Sequence, residues 1–276
     1  MTELPPLREV ISKYGLAAKK SLGQNFLFDL NLTGRIARSA GNLEHCTVLE
    51  IGPGPGGLTR ALLDNGAGKV IAIERDRRSI EALKDVQAAY PGRLEVIEGD
   101  AMKLDLSILP DGPVKIVANL PYNIGTALLV QWLENLDRFE GLTLMFQREV
   151  GDRLTASPGE KNYGRLSVLA QRLCYVEKMF GVDRNAFVPP PKVWSSVIGF
   201  QPRKTPLAEA DPKVLEAVTR AGFGQRRKML RSSLKTLGVD AEALCTAAGV
   251  EPTDRAERID VEGWCSLART LVKMAP

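Results

Sequence analysis

Short apolar runs alternate with helix-spaced stretches over the first two hundred positions of the chain. The runs Thr47–Ile51, Lys69–Glu74, Leu94–Glu98, Lys115–Asn119 and Leu142–Gln147 read as buried strands. Between them, Ser79–Ala89 and Ile124–Leu136 place apolar residues at helical spacing. This alternation predicts an α/β fold, a doubly wound and mostly parallel sheet with helices on both faces. Tyr175–Val182 and Trp194–Gln201 read as further strands, separated by Pro189-Pro190-Pro191, which imposes an extended loop. From Leu207 onward helical spacing dominates, as in Leu230, Leu234 and Leu237. The pattern therefore places a domain boundary after Lys204, with a helical domain over 205–276 and an N-terminal arm over 1–28.

Composition narrows the function classes. No apolar run is long enough for a membrane-spanning helix, and the first residues lack the layout of a signal peptide. Cys46, Cys174, Cys245 and Cys265 form no C-x-x-C pair, which argues against a zinc site and for reduced thiols in a cytoplasm, and no metal is expected. The single histidine, His45, precedes a strand and reads as a surface residue, so histidine-dependent hydrolysis is disfavoured. Net charge is only +4, but six basic residues and no acid lie between Arg220 and Gly238. Of these, Arg226, Arg227, Lys228, Arg231 and Lys235 are candidates for phosphate contacts. Arg227, Arg231 and Lys235 recur every four residues and would share one helix face. Lys19 and Lys20 would extend that surface.

Candidate chemistry clusters at the ends of the strands. The first strand runs into Gly52-Pro53-Gly54-Pro55-Gly56-Gly57, a turn that brings backbone N–H groups to a ligand. Glu74 ends the next strand, twenty-two residues after Gly52, where an acid meets a ribose diol. Asp100 follows the third strand and suits an adenine amino group. Glu50 at the turn would repel a pyrophosphate and favour a cation. S-adenosylmethionine carries a ribose, an adenine, an ammonium and a sulfonium but no phosphate, and fits this set better than NAD.

The fourth strand runs into Asn119-Leu120-Pro121-Tyr122, where ligands of such sheets bind. The Asn119 side-chain oxygen and the Leu120 carbonyl would accept both hydrogens of an exocyclic amine, and Pro121 keeps residue 120 extended. Tyr122 offers a face to an extruded base. Phe187, at the head of the proline loop, is either the second stacking partner or a core aromatic. Asn25 and Leu27, in Gly23-Gln24-Asn25-Phe26-Leu27, belong either to a lid over the cofactor or to a cap on the core.

These stretches together resemble the KsgA family of bacterial small-subunit ribosomal RNA adenine dimethyltransferases. The resemblance rests on Gly23–Leu27, Glu50–Gly54, Ile73-Glu74, Gly99-Asp100-Ala101, Asn119–Ile124, Phe187-x-Pro-x-Pro191-Lys-Val193 and Phe223-x-x-Arg226-Arg-Lys228-x-Leu-Arg231-x-Ser233-Leu. It departs at Gly125, where many relatives have Ser, and at Trp194, where small or acidic residues are frequent. The resemblance implies a Rossmann-like methyltransferase domain and a C-terminal helical domain that binds rRNA. It implies four methyl transfers to two adjacent adenosines in the 3′-terminal hairpin of 16S rRNA, late in assembly of the small subunit. Carried over by position, Asn25, Leu27, Gly52, Glu74, Asp100 and Asn119 look like cofactor contacts. Asn119, Leu120, Tyr122 and Phe187 look like the target-base site. The expected form is a cytoplasmic monomer acting on a pre-30S particle. The macrolide-resistance relatives, which act on large-subunit rRNA, usually carry Gly-Ser-Gly-Lys-Gly at the cofactor turn, unlike Gly52–Gly56 here. A non-catalytic assembly role would coexist with an intact Asn119–Tyr122.

Overall fold

The structure is a computed structural model that describes residues 4–16 and 24–274. Lys19, Lys20 and Gly23 lie outside the described residues. The helices of the first part are α1 (Leu7–Tyr14), α2 (Leu30–Ser39), α3 (Gly57–Asp64), α4 (Arg77–Ala89) and α5 (Gly125–Leu133). They alternate with β1 (Phe26–Leu27), β2 (Thr47–Ile51), β3 (Lys69–Glu74), β4 (Leu94–Glu98), β5 (Val114–Asn119) and β6 (Gly141–Gln147). Then come α6 (Arg148–Thr155), α7 (Arg165–Leu173), β7 (Cys174–Val182), β8 (Phe187–Val188) and β9 (Ser195–Pro202). The chain ends with α8 (Pro212–Gly224), α9 (Leu230–Ser233), α10 (Ala241–Ala247) and α11 (Val261–Met274).

Seven strands form one mixed sheet in the order β4-β3-β2-β5-β6-β9-β7, so the α/β, doubly wound expectation holds. β2 through β6 pair in parallel, and β9 runs antiparallel to β6. Parallel strands need helical crossovers, and their apolar residues are buried on both faces. Val48, Leu49 and Ile51 of β2 and Ile116, Val117 and Ala118 of β5 are accordingly buried. Local capping sets the helix starts. The Asp29 carboxylate accepts from the Asn31 and Leu32 amides at α2, and Asp76 accepts from the Arg78 amide at α4. Strand order reverses between β2 and β5, which is where such folds open a crevice at the carboxyl ends of their strands.

The chain divides into two compact units. The first holds the residues up to Gly151 with Glu177–Pro202, and the second holds Asp152–Val176 with the chain from Arg203 onward. A single cut after Lys204 differs from this division because Asp152–Val176 packs with the C-terminal segment. Tyr163 and Val168 are buried with Leu215, Val218, Leu230 and Trp264 in one core.

The basic segment does not form one continuous helix, which corrects the reading of Arg227, Arg231 and Lys235 on a shared face. The helix stops at Gly224, and Gln225 turns away at φ −125° and ψ 52°. Met229 pairs with Arg255 in a β-bridge, and the Leu230 and Arg231 amides donate to the Asp254 and Pro252 carbonyls at 2.8 and 3.0 Å. Amides used this way are not free for helical bonds to residues four positions earlier.

Candidate functional site

The turn after β2 is built on left-handed glycines. Gly54 sits at φ +55°, and a Cβ there would lie 2.8 Å from the Phe26 ring. Only glycine lets this backbone close beneath β1. The Gly54 amide donates to Glu74 Oε2 at 3.0 Å, while Glu74 Oε1 accepts from the Arg75 and Asp76 amides at 2.7 and 2.8 Å. Three amides thus fix the Glu74 carboxylate at the end of β3. Burial nevertheless pushes its pKa up against those hydrogen bonds.

Glu50 is 2% exposed, and its Oε2 accepts from the Thr59 hydroxyl at 2.7 Å. Burial raises its pKa to about 8; the Thr59 bond opposes the rise and the nearby Glu74 charge adds to it. Asp100 caps a short turn by accepting from the Met102 amide at 3.1 Å, with Arg75 Nη1 3.9 Å away. Gln24, Asn25, Phe26, Leu27, Glu50, Gly52, Glu74, Asp100, Asn119, Leu120 and Tyr122 line one cleft at the carboxyl ends of β2, β3, β4 and β5. Every proposed cofactor residue therefore lies in this cleft.

The acceptor end of the cleft is equally fixed. Asn119 Nδ2 donates to the Asn25 carbonyl at 3.1 Å, which turns the side-chain oxygen into the free acceptor. The Leu120 carbonyl accepts no backbone hydrogen bond among the described residues. The Pro121 carbonyl accepts from the Ile124 and Gly125 amides, so the chain turns directly into α5. Tyr122 is half-buried, and its hydroxyl lies 2.6 Å from Ser195 Oγ at the start of β9. Burial raises the phenol pKa and the Ser195 bond opposes the rise, so the Tyr122 phenol stays neutral.

Phe187 is placed differently from the stacking expectation. It is 1% exposed, absent from the cleft wall, and packed in the core with Leu27, Met145, Val182 and Val197. β8 pairs with β1, Leu27 opposite Phe187, so Phe187 supports the cleft wall from behind.

Two contributors escaped sequence reasoning. Ser195 carries no signal as a serine inside an apolar strand. Asp76 is buried, its pKa is held at about 2 first by Arg78, and it accepts from Gln24 Nε2 at 3.3 Å. A capping Asp ahead of a helix was the available signal for it.

In the second unit, Arg226 pairs with Glu257 and donates to the Glu160 carbonyl, and Arg231 pairs with Glu242. Arg227, Lys228 and Lys235 are exposed, with no ion pair among the described residues. No group of three or more metal-ligating side chains occurs among the described residues. No helix among them is long and apolar enough to cross a membrane.

The comparisons with known proteins agree with this geometry. The profile of a family described as ribosomal RNA adenine dimethylase matches residues 15–273. The ribosomal RNA small subunit methyltransferase A of Rhodospirillum rubrum is 61% identical over 268 residues, covering 97% of this chain and 93% of that protein. Its counterpart in Paramagnetospirillum magneticum is 62% identical over 271 residues, covering 98% and 96%. Among solved structures, a dimethyladenosine transferase from Plasmodium falciparum superimposes with a TM-score of 0.74 at 27% identity, covering 90% of this chain and 98% of that one. The 23S rRNA methyltransferase ErmE gives 0.69 at 30% identity, covering 90% and 100%.

Proposed function

The chain belongs to the ribosomal RNA adenine dimethylase family, and on that premise we propose that it transfers four methyl groups from S-adenosylmethionine to N6 of two adjacent adenosines. Their place is the 3′-terminal hairpin loop of 16S rRNA in an assembling small subunit, with the enzyme acting as a cytoplasmic monomer. The names of the bacterial relatives support the small-subunit substrate. The observation that carries the chemistry is the pair of open acceptors, Asn119 Oδ1 and the Leu120 carbonyl, at the carboxyl end of β5.

The residues of the cleft suit this methyl donor. Glu50 is a buried acid with only a hydroxyl partner, a fit for an ammonium and a misfit for a phosphate. Glu74 and Asp100 retain acceptor capacity for the ribose hydroxyls and the adenine amine. When bound, S-adenosylmethionine supplies an activated methyl on a sulfonium. The rest of the work falls to the chain's own groups. Asn119 Oδ1 and the Leu120 carbonyl hold the N–H hydrogens of the target amine and favour a tetrahedral nitrogen, so no strong base is required. Tyr122 stacks on the extruded base, a contact worth about 1–3 kcal/mol.

The second unit serves as the rRNA-binding domain, with Arg227, Lys228 and Lys235 as its free cations and Arg226 and Arg231 beside them. Incubation with labelled S-adenosylmethionine and unmethylated subunits tests the reading. Label is expected on small-subunit adenosine; label on cytosine, on large-subunit RNA or on protein refutes it.

A further inference from the structure

Just before the strand that anchors Tyr122 stands an aromatic ring that the site described above does not use. β9 begins at Ser195, whose buried hydroxyl meets that of Tyr122. The residue before it, Trp194, is 47% exposed. Its backbone is held on the C-terminal side. The Trp194 carbonyl accepts from the Arg148 amide at 2.8 Å, and Ser195 sits in register with Gln147 at the carboxyl end of β6. Trp194 therefore lies at the carboxyl end of β6, the strand beside β5, one residue before the Ser195 hydroxyl that meets the cleft residue Tyr122. Val188, Val193, Pro189 and Pro190 are exposed in the same loop, with Lys192 among them and no acid between Val188 and Trp194. An exposed indole on a held backbone, in such a patch, marks a contact surface.

The geometry points to Trp194 as a stacking platform for an unpaired base that neighbours the target adenosine in the substrate RNA. This inference rests on the reading of the cleft as an rRNA adenine site. Consecutive Cα atoms lie about 3.8 Å apart, so the indole starts one residue from the strand end that holds Tyr122. A nucleotide next to the extruded base comes within its reach. Every base has a π-face, which makes an aromatic ring a platform tolerant of sequence, and Lys192 is placed for the accompanying phosphate. A protein partner would need a far wider apolar area than this one loop offers.

The chain has three tryptophans, and Trp132 and Trp264 are buried, so iodide quenching reports on Trp194. A saturating RNA hairpin with unpaired adenosines in its loop is expected to reduce iodide quenching to the level of the W194F variant. W194A is expected to raise KM for unmethylated small subunits about tenfold while kcat stays within about twofold, with W194F close to the parent. Calorimetric binding of S-adenosylhomocysteine is expected to be unchanged in both variants. A KM for W194A within about twofold of the parent, or iodide access unaffected by RNA, overturns the proposal. A parent chain that methylates no adenosine would refute the underlying reading instead, and the iodide measurement would still decide the stacking.

Discussion

Cofactor binding should strengthen as pH rises through the neutral range, because Glu50 must lose a proton to face a cation. Its pKa is about 8, set first by burial. At pH 6 only about 1% of the carboxyl is ionised, and each unit below the pKa costs about 1.4 kcal/mol to remove the proton. Between pH 6 and pH 7, S-adenosylhomocysteine affinity should therefore rise about tenfold, with about one proton released per binding event. Calorimetry in two buffers of different ionisation enthalpy measures both quantities. Glu74 shares the cleft and is also raised, so Glu50→Gln isolates the effect and should flatten most of the pH dependence. The sign for folding is opposite. A pKa raised above the unfolded value of 4.5 means that ionisation opposes folding, so the empty protein loses stability between about pH 4.5 and pH 8. Glu50→Gln should melt higher than the parent at pH 8 while binding cofactor more weakly. An affinity independent of pH with no proton release would refute the assignment of Glu50.

Asn119→Ala removes one of two acceptors and should lower kcat by about 10²–10³, measured by methyl incorporation under saturating substrate. If subunit binding survives in that variant, a binding role in assembly stands apart from catalysis. Ser195→Ala strands the Tyr122 hydroxyl, a loss of about 1–3 kcal/mol. It should raise KM for subunits more than it lowers kcat, and should show little additivity with Tyr122→Phe in a double-mutant cycle. Replacing Arg227, Lys228 and Lys235 by Gln should reduce the log–log salt slope of RNA binding by about 2–3 without affecting cofactor affinity.

The parallel core was legible because buried strands leave short apolar runs bounded by turn residues, as at Thr47–Ile51 and Lys69–Glu74. The cleft was legible for a related reason. Glu74 and Asn119 each end a strand and Asp100 follows β4 by two residues, and strand ends in such a sheet converge at one rim. What stayed hidden depended on distant chain. The four-residue spacing of Arg227, Arg231 and Lys235 suits a helix, yet the 252–255 segment takes the amides at Leu230 and Arg231. Phe187 sits in a two-residue strand, too short for alternation to reveal which face is buried. Asp152–Val176 carries the same helix-and-strand pattern as its surroundings, so its packing with the C-terminal core left no local trace.

The most direct test of the central claim is mass spectrometry of nucleosides from small subunits incubated to completion with enzyme and S-adenosylmethionine. The account predicts two N6,N6-dimethyladenosines per small-subunit rRNA, on neighbouring residues of the 3′-terminal hairpin loop, formed about 10²–10³ times more slowly when Asn119 is Ala. Methylation that stops at one adenosine, or that falls on large-subunit rRNA, would contradict it.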